Sequence, residues 1–255
     1  MTAVATHTDV FSRILCAVDG SKESLAATLQ ASRLLAQDGV IELLTVAETY
    51  RASQAGWLST RAATQIEEEA EAALALASDL NPAASTLLAR GYAANVILHT
   101  ARIGGTTLVA VGATRPPRAR ERVLGNVADD VVRRAGCSVL VARRRPLPTP
   151  ARIVCGIDGS AHSLAAAEVA DELGRRSGAE VEFLVGLGGK PLEPNDVGRH
   201  ARADPRPPVD ALVDAALEAD LVVLGSRGLH GLRSLGSVSG RVAARCDCSV
   251  LVVRR

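Results

Sequence analysis

Two short runs in this chain place side chains where chemistry is possible, and each run occurs twice. Asp19-Gly20-Ser21 follows the apolar stretch Arg13–Val18, and Asp158-Gly159-Ser160 follows Arg152–Ile157. A carboxylate at the end of a buried strand can hold a divalent cation beside phosphates. The same three residues also make a turn and a helix cap, and both roles stay open for Asp158 and Asp19. The second run is rich in glycine: Gly225-Ser226-Arg227-Gly228, then His230 and Gly231, then Gly236-Ser237. Glycines admit positive φ and let backbone N–H groups approach an anion. Ser237 stands just before a helical pattern, where it can cap the helix or donate to a phosphate at its N-terminus. No G-x-x-x-x-G-K-[ST] occurs, so this is not a P-loop.

Other reactive residues carry less. His7, His99, His162, His200 and His230 show no ligand spacing, and no Ser-His-Asp or Cys-His arrangement follows from the spacing. Cys16 repeats as Cys155 and Cys137 as Cys248, each beside or within an expected strand, where Cys packs as a small apolar residue. Cys246-Asp247-Cys248 is a single C-x-C without the further ligands a zinc site needs, so packing is its expected role. The run Arg115–Arg122 is basic but lacks aromatics, as in a solvated loop. The expectation is a chain without catalytic residues and without a metal site of its own.

The elements that position these residues are also duplicated. Arg13–Ser21 returns as Arg152–Ser160 at a shift of 139 residues, and Cys137–Val141 returns as Cys248–Val252 at a shift of 111. Each copy is on the order of 100 residues, enough to bury its own core. The expected organisation is a lead-in at 1–12, a first domain at 13–145, a proline-bearing linker at 146–151 and a shortened second domain at 152–255. In the first copy the pattern predicts strands at 13–18, 40–46, 84–90, 107–111 and 138–143. Helices are expected from Ser21 to about Gln37 and at 59–80, 93–102 and 127–134. In the second copy it predicts strands at 152–157, 180–185, 220–224 and 249–254, with helices at 160–176, 210–218 and 238–245. Gly186–Pro208, dense in Gly and Pro, accommodates no helix, and a third strand survives there only as a fragment near 198–203. Strands alternating with helices imply βαβ crossovers and a parallel sheet. In such sheets ligands bind beyond the carboxyl ends of the strands, where both runs lie.

Taken together, the Asp-Gly-Ser turn, the glycine loop after the fourth strand, the Gly-Ser before a helix and the closing Cys-Ser-Val-Leu-Val strand resemble the universal stress protein family in its tandem form. The resemblance implies two Rossmann-like α/β domains, similar to adenine nucleotide alpha hydrolases, each with a mainly five-stranded parallel sheet. It implies ATP, with Mg2+, as the candidate ligand, bound by some members and not by others. It also implies a pseudo-dimer of the two domains through their last strands. Carried over residue by residue, the second-copy site would gather Asp158, Gly186, Gly225, Arg227, Gly228, Gly236 and Ser237, with the backbone at Val185-Gly186 facing adenine. The family's loop reads G-x2-G-x9-G-[ST]. The second copy keeps the residue types, but its spacer from Leu229 to Leu235 is seven residues long. The first copy keeps the spacing from Gly112 to Gly125, but puts Arg115 at the second glycine, Asn126 at the hydroxyl position, and Pro116-Pro117 where N–H donors would lie.

Charge is near balance, at a formal +1, which excludes a dedicated nucleic-acid or membrane-surface binder. No apolar run approaches the ~20 residues of a membrane span. The expectation is a cytoplasmic, non-enzymatic stress-response regulator that binds ATP in its second domain. A homodimer or an unidentified protein partner is compatible with it. The alternatives are a scaffold that has lost nucleotide binding and, behind it, a weak ATP hydrolase.

Overall fold

The computed structural model describes residues 10–50, 59–113, 125–143, 149–188, 200–226 and 238–254. The first half runs β1 (Phe11–Ala17), α1 (Lys22–Leu34), β2 (Leu35–Ala47), α2 (Ser59–Leu80), β3 (Ser85–Arg90), α3 (Ala93–Ile103), β4 (Leu108–Gly112), α4 (Asn126–Arg134) and β5 (Ser138–Ala142). The second half runs β6 (Arg152–Gly156), α5 (Ala161–Ser177), β7 (Glu180–Gly186), β8 (Arg202–Asp204), α6 (Pro208–Ala215), β9 (Leu221–Gly225), α7 (Val238–Arg245) and β10 (Ser249–Val253). All ten strands form one sheet in the order β3-β2-β1-β4-β5-β10-β9-β6-β7-β8. Each half contributes five parallel strands, and the halves meet where β5 pairs antiparallel with β10. The expected α/β architecture and the expected pairing of last strands are both present.

The strands are apolar on both faces because helices cover both. Ile14, Cys16, Leu43 and Leu140 point into a core with α1, α2 and α5. Their neighbours Leu15, Leu44, Val139 and Val141 point into the opposite core with α3, α4, α6 and α7. Side chains therefore alternate between two buried layers, as the period of a strand requires. Cys16, Cys155, Cys246 and Cys248 are buried in these cores and Cys137 is half-buried.

The junction of the halves is bonded by repeat partners. Register pairs Leu140 with Leu251 at the centre. At one end Arg143 donates its N–H to Ser249 Oγ at 3.0 Å and its guanidinium to Ala243 O at 2.8 Å. At the other, Arg254 donates its N–H to Ser138 Oγ at 3.1 Å and its guanidinium to Cys137 O and Val132 O. Each arginine thus leaves its own last strand and caps the end of the other half's preceding helix, where a cation is favoured. The symmetry is incomplete. Gln30 joins only the first set, donating to Arg143 O at 3.1 Å and accepting from Ser249 Oγ at 2.7 Å.

Some sequence expectations shift. The first helix stops at Leu34 rather than near Gln37, because Leu35 already pairs with Phe11 in the sheet. Asp38-Gly39, a pair that locally signals a turn between helix and strand, instead lies inside β2 at an irregularity of register. The fragmentary third strand of the second half is Arg202–Asp204, overlapping the end of the expected span 198–203. The sixth helix begins at Pro208, two residues before the expected start, with proline in the first turn where its missing N–H costs nothing. Residues 189–199 of the Gly/Pro-rich stretch after β7 lie outside the described residues.

Candidate functional site

Each half has a crevice at the carboxyl ends of its strands, beside the first strand where the connection order reverses. In the second half the chain leaves β6 through Ile157-Asp158-Gly159-Ser160. Gly159 sits at φ +77°, a left-handed turn that glycine enters without strain. Asp158 Oδ1 accepts the Ser160 N–H at 3.0 Å, and Ser160 Oγ caps α5 by accepting the Ser163 N–H at 3.3 Å. Ser163 Oγ in turn accepts the Asp158 N–H at 3.2 Å. The first half repeats this turn. Asp19 Oδ1 accepts from the Ser21 N–H at 3.0 Å and Oγ at 2.6 Å, and Ser21 caps α1 through the Ser24 N–H at 3.2 Å. Burial pushes the Asp19 carboxyl up, but the bonds from Ser21 and Ser24 outweigh it and hold the group below the usual carboxylate range. Turn-making is therefore a role of both aspartates, whatever else they do.

The crevice beyond Asp158 encloses about 150 Å³ and is lined by Asp158, His162, Leu184, Gly186, Pro208 and Ser239, among others. The N-termini of α5 and α7 both reach it, which favours negative charge there. Of the residues predicted from sequence, Asp158, Gly186 and Gly225 come together at this crevice. Arg227, Gly228, Gly236 and Ser237 lie outside the described residues. The glycines also have packing roles. A Cβ on Gly225 would sit 2.3 Å from His162 O, and one on Gly186 would sit 2.4 Å from the Pro208 Cα. Gly225 thus lets the first turn of α5 lie against the end of β9. Gly112 does the same for α1, where a Cβ would sit 2.4 Å from the Ser24 N.

The first crevice is larger, about 220 Å³, and mostly apolar, with Val18, Leu44, Val46, Ile97 and Val111 around Asp19. Its rim carries groups that sequence reasoning missed. Glu48 Oε1 accepts the Ala93 N–H at 3.0 Å, placing a carboxylate on the N-terminus of α3. Tyr50 and Tyr92 stack beside it, ring centroids 3.9 Å apart. The second half has Leu187, Gly189 and Pro207 at the corresponding sequence positions. The signal was available: both tyrosines of the chain flank the ends of predicted elements. Arg115 and the rest of 114–124 lie outside the described residues.

Two of the buried thiols are disfavoured as thiolates. Burial pushes Cys16 up to about 12, and contact with Cys248, then burial, raises Cys246. Among the described residues no group of three or more His, Cys, Asp or Glu side chains is placed to hold a metal ion. Likewise no described helix is long and apolar enough to cross a membrane.

Comparison with known proteins agrees with this geometry. The universal stress protein family matches residues 11–143 and 187–254. Universal stress protein Rv2005c of Mycobacterium tuberculosis is 32% identical over 182 residues, which are 58% of this chain and 62% of the relative. Universal stress protein Mb2028c of Mycobacterium bovis matches to the same extent. The chain thus spans less than two thirds of the length of these curated relatives. Among solved structures, a universal stress protein from Archaeoglobus fulgidus superposes with a TM-score of 0.72 at 17% identity, over 95% of this chain and 96% of that one. A Pseudomonas aeruginosa protein of unknown function gives 0.64 at 17% identity, over 96% and 93%. These two likenesses speak for the fold alone. The two matched segments cover well over half of the sequence, and the chain belongs to the universal stress protein family.

Proposed function

We propose that the chain is a non-enzymatic regulatory module of two domains, 13–145 and 152–255, joined by a linker at 146–151. We further propose that it binds an adenine nucleotide, ATP with Mg2+, in the second domain. The observation that carries this reading is the crevice beyond β6, where Asp158 meets the N-termini of α5 and α7. An anion placed there gains from both helix ends, and a carboxylate beside it can share a divalent cation. Arg227, Gly228, Gly236 and Ser237 would complete the phosphate side. Bound nucleotide would act by favouring one conformational or assembly state over another. The first domain would bind weakly or not at all. A carboxylate, Glu48, already occupies the N-terminus of α3 just past the end of β2, and its loop carries Arg115 and two prolines.

Calorimetry tests this on the whole chain. Wild type should bind Mg-ATP at one site or fewer per chain. Gly228→Val should abolish the heat by blocking phosphate approach. Asp158→Asn should weaken binding with Mg2+ present more than without it. No heat above dilution for wild type at about millimolar ligand, where binding is worth only about 4 kcal/mol, points to the scaffold reading instead. That reading draws on the two-residue shortening of the loop.

A further inference from the structure

The second crevice holds one side chain whose chemistry neither the turn nor the packing uses. His162 is the second residue of α5 and lines the crevice with Asp158, Ser160 and Ser163. Those three are engaged in the turn and the helix cap. His162 is half-buried, and its imidazole makes no hydrogen bond or ion pair among the described residues. Its backbone fixes where the ring stands. A Cβ on Gly225 would sit 2.3 Å from His162 O and 2.7 Å from Ser163 N, so the first turn of α5 abuts the point where the chain leaves β9. Leu184, Val185, Gly186 and Pro208 line the crevice from the ends of β7 and the start of α6. Strands β9 and β7 flank β6 on opposite sides. The crevice thus has a β9 side next to His162 and a largely apolar β7 side.

The first half shows that the fold does not require a histidine there. Glu23 holds the equivalent place: a Cβ on Gly112 would sit 2.9 Å from Glu23 O and 2.4 Å from Ser24 N. Glu23 follows Lys22 where His162 follows Ala161, and it is not among the residues around the first crevice. The turn, the serine cap and the glycine contact are common to both halves. The imidazole is therefore a departure from the repeat that the shared packing does not account for.

We propose that His162 contacts the phosphate chain of a nucleotide in the second crevice and makes that crevice selective for nucleotides over nucleosides. This rests on the reading of the second crevice as an adenine-nucleotide site, with the phosphates on the side of the loop that leaves β9 at Gly225. A neutral imidazole donates one hydrogen bond to a phosphate oxygen, and a protonated one donates a stronger, charge-assisted bond. Ala161 and His162 are the first two residues of α5, and their backbone N–H groups cannot be satisfied by the helix itself. A phosphate within reach of the imidazole meets the positive end of α5 as well. The imidazole thus offsets Asp158, whose carboxylate alone would repel an anion at close range. The apolar β7 side is left for the base.

Calorimetry on the full chain with Mg-ATP and with adenosine tests it. His162→Ala should raise the dissociation constant for Mg-ATP about three- to tenfold, the modest end for a charge-assisted bond because the site is partly open to water. Adenosine has no phosphate, and its dissociation constant should change by less than about twofold. His162→Gln keeps a donor without the charge and should fall between wild type and alanine. His162→Glu sets like charge against the phosphates and should weaken Mg-ATP about tenfold or more. The glutamate variant keeps the test open if circular dichroism shows the alanine variant misfolded. An acidic side chain is favoured in the first turn of a helix, and Glu23 already stands there in the first half. Variants that bind Mg-ATP as wild type does overturn this proposal alone and leave the nucleotide reading standing. Equal losses for Mg-ATP and adenosine also overturn it, because they assign His162 to the shape of the crevice. A wild type that binds neither ligand overturns the nucleotide reading and this proposal with it.

Discussion

Replacing Arg143 by methionine should loosen the junction between the halves without touching either crevice. The side chain is 7% exposed and lies at the end of β5. Its guanidinium donates to Ala243 O at 2.8 Å, to Ala244 O at 3.4 Å and to Ala113 O at 3.3 Å. One short bond and two long ones from a charged donor are together worth about 3–5 kcal/mol, at about 1.5–3 for a good one. Methionine returns part of this, because a guanidinium no longer has to leave water. The net loss should be about 2–4 kcal/mol. With unfolding entropy near 2.1 cal/mol/K per residue, each kcal/mol moves Tm by about 2 °C, so Arg143→Met should melt about 4–8 °C lower. Arg143→Lys keeps a cation at the end of α7 but lacks the planar fork, and should lose about half as much. Scanning calorimetry of the three proteins measures this. A methionine variant within about 1 °C of wild type, or equal losses for lysine and methionine, would refute the assignment of the stability to charged bonds across the junction.

Further perturbations separate packing from binding and charge from burial. Ser249→Ala removes the acceptor of the Arg143 N–H and the donor to Gln30, and should cost about 1–2 kcal/mol by denaturant titration. Gly225→Ala places a Cβ against the α5 backbone and should destabilise the fold by about 1–3 kcal/mol even with no nucleotide present, so lost binding in that variant cannot by itself assign phosphate contact. The bonds from Arg206 hold the Asp204 carboxyl down at about 2. Its stabilising contribution is therefore complete above the ordinary carboxylate value near 4 and is lost as pH falls towards 2. Asp204→Asn should be less stable than wild type near neutrality and show a shallower loss of stability between those two pH values in acid titration by circular dichroism.

Much of the fold was legible because apolar periodicity and the repeat reinforced each other. Ser59–Leu80 and Val238–Arg245 emerge with the boundaries their patterns predict. The misreadings fall where a distant contact overrides a local signal. Leu34 and Leu35 continue a helical spacing, yet Leu35 is taken into the sheet by Phe11, which no local window around residue 35 can register. Pro207-Pro208 reads as a breaker in a stretch full of breakers, although proline at a first turn is also a start signal.

The candidate site was legible in its fixed parts and ambiguous in its chemistry, and the two copies show why. The Asp-Gly-Ser turn, the serine at the first helical turn and the glycine after the fourth strand recur with the same backbone bonds in both halves. A feature kept in both crevices is thereby explained by the fold: the turn reverses the chain, the serine caps the helix, and the glycine admits its first turn. Such residues cannot on their own distinguish a nucleotide site from its scaffold. What distinguishes the crevices is what differs between them, namely Glu48 and the Tyr50–Tyr92 stack on one rim against Leu187 and Pro207, and Arg115 against Gly228 in the loops. On the proposed reading these differences disfavour phosphates in the first crevice, while the second keeps the N-termini of α5 and α7 at its edge. What can separate the two crevices in function therefore lies in the departures of the repeat from symmetry.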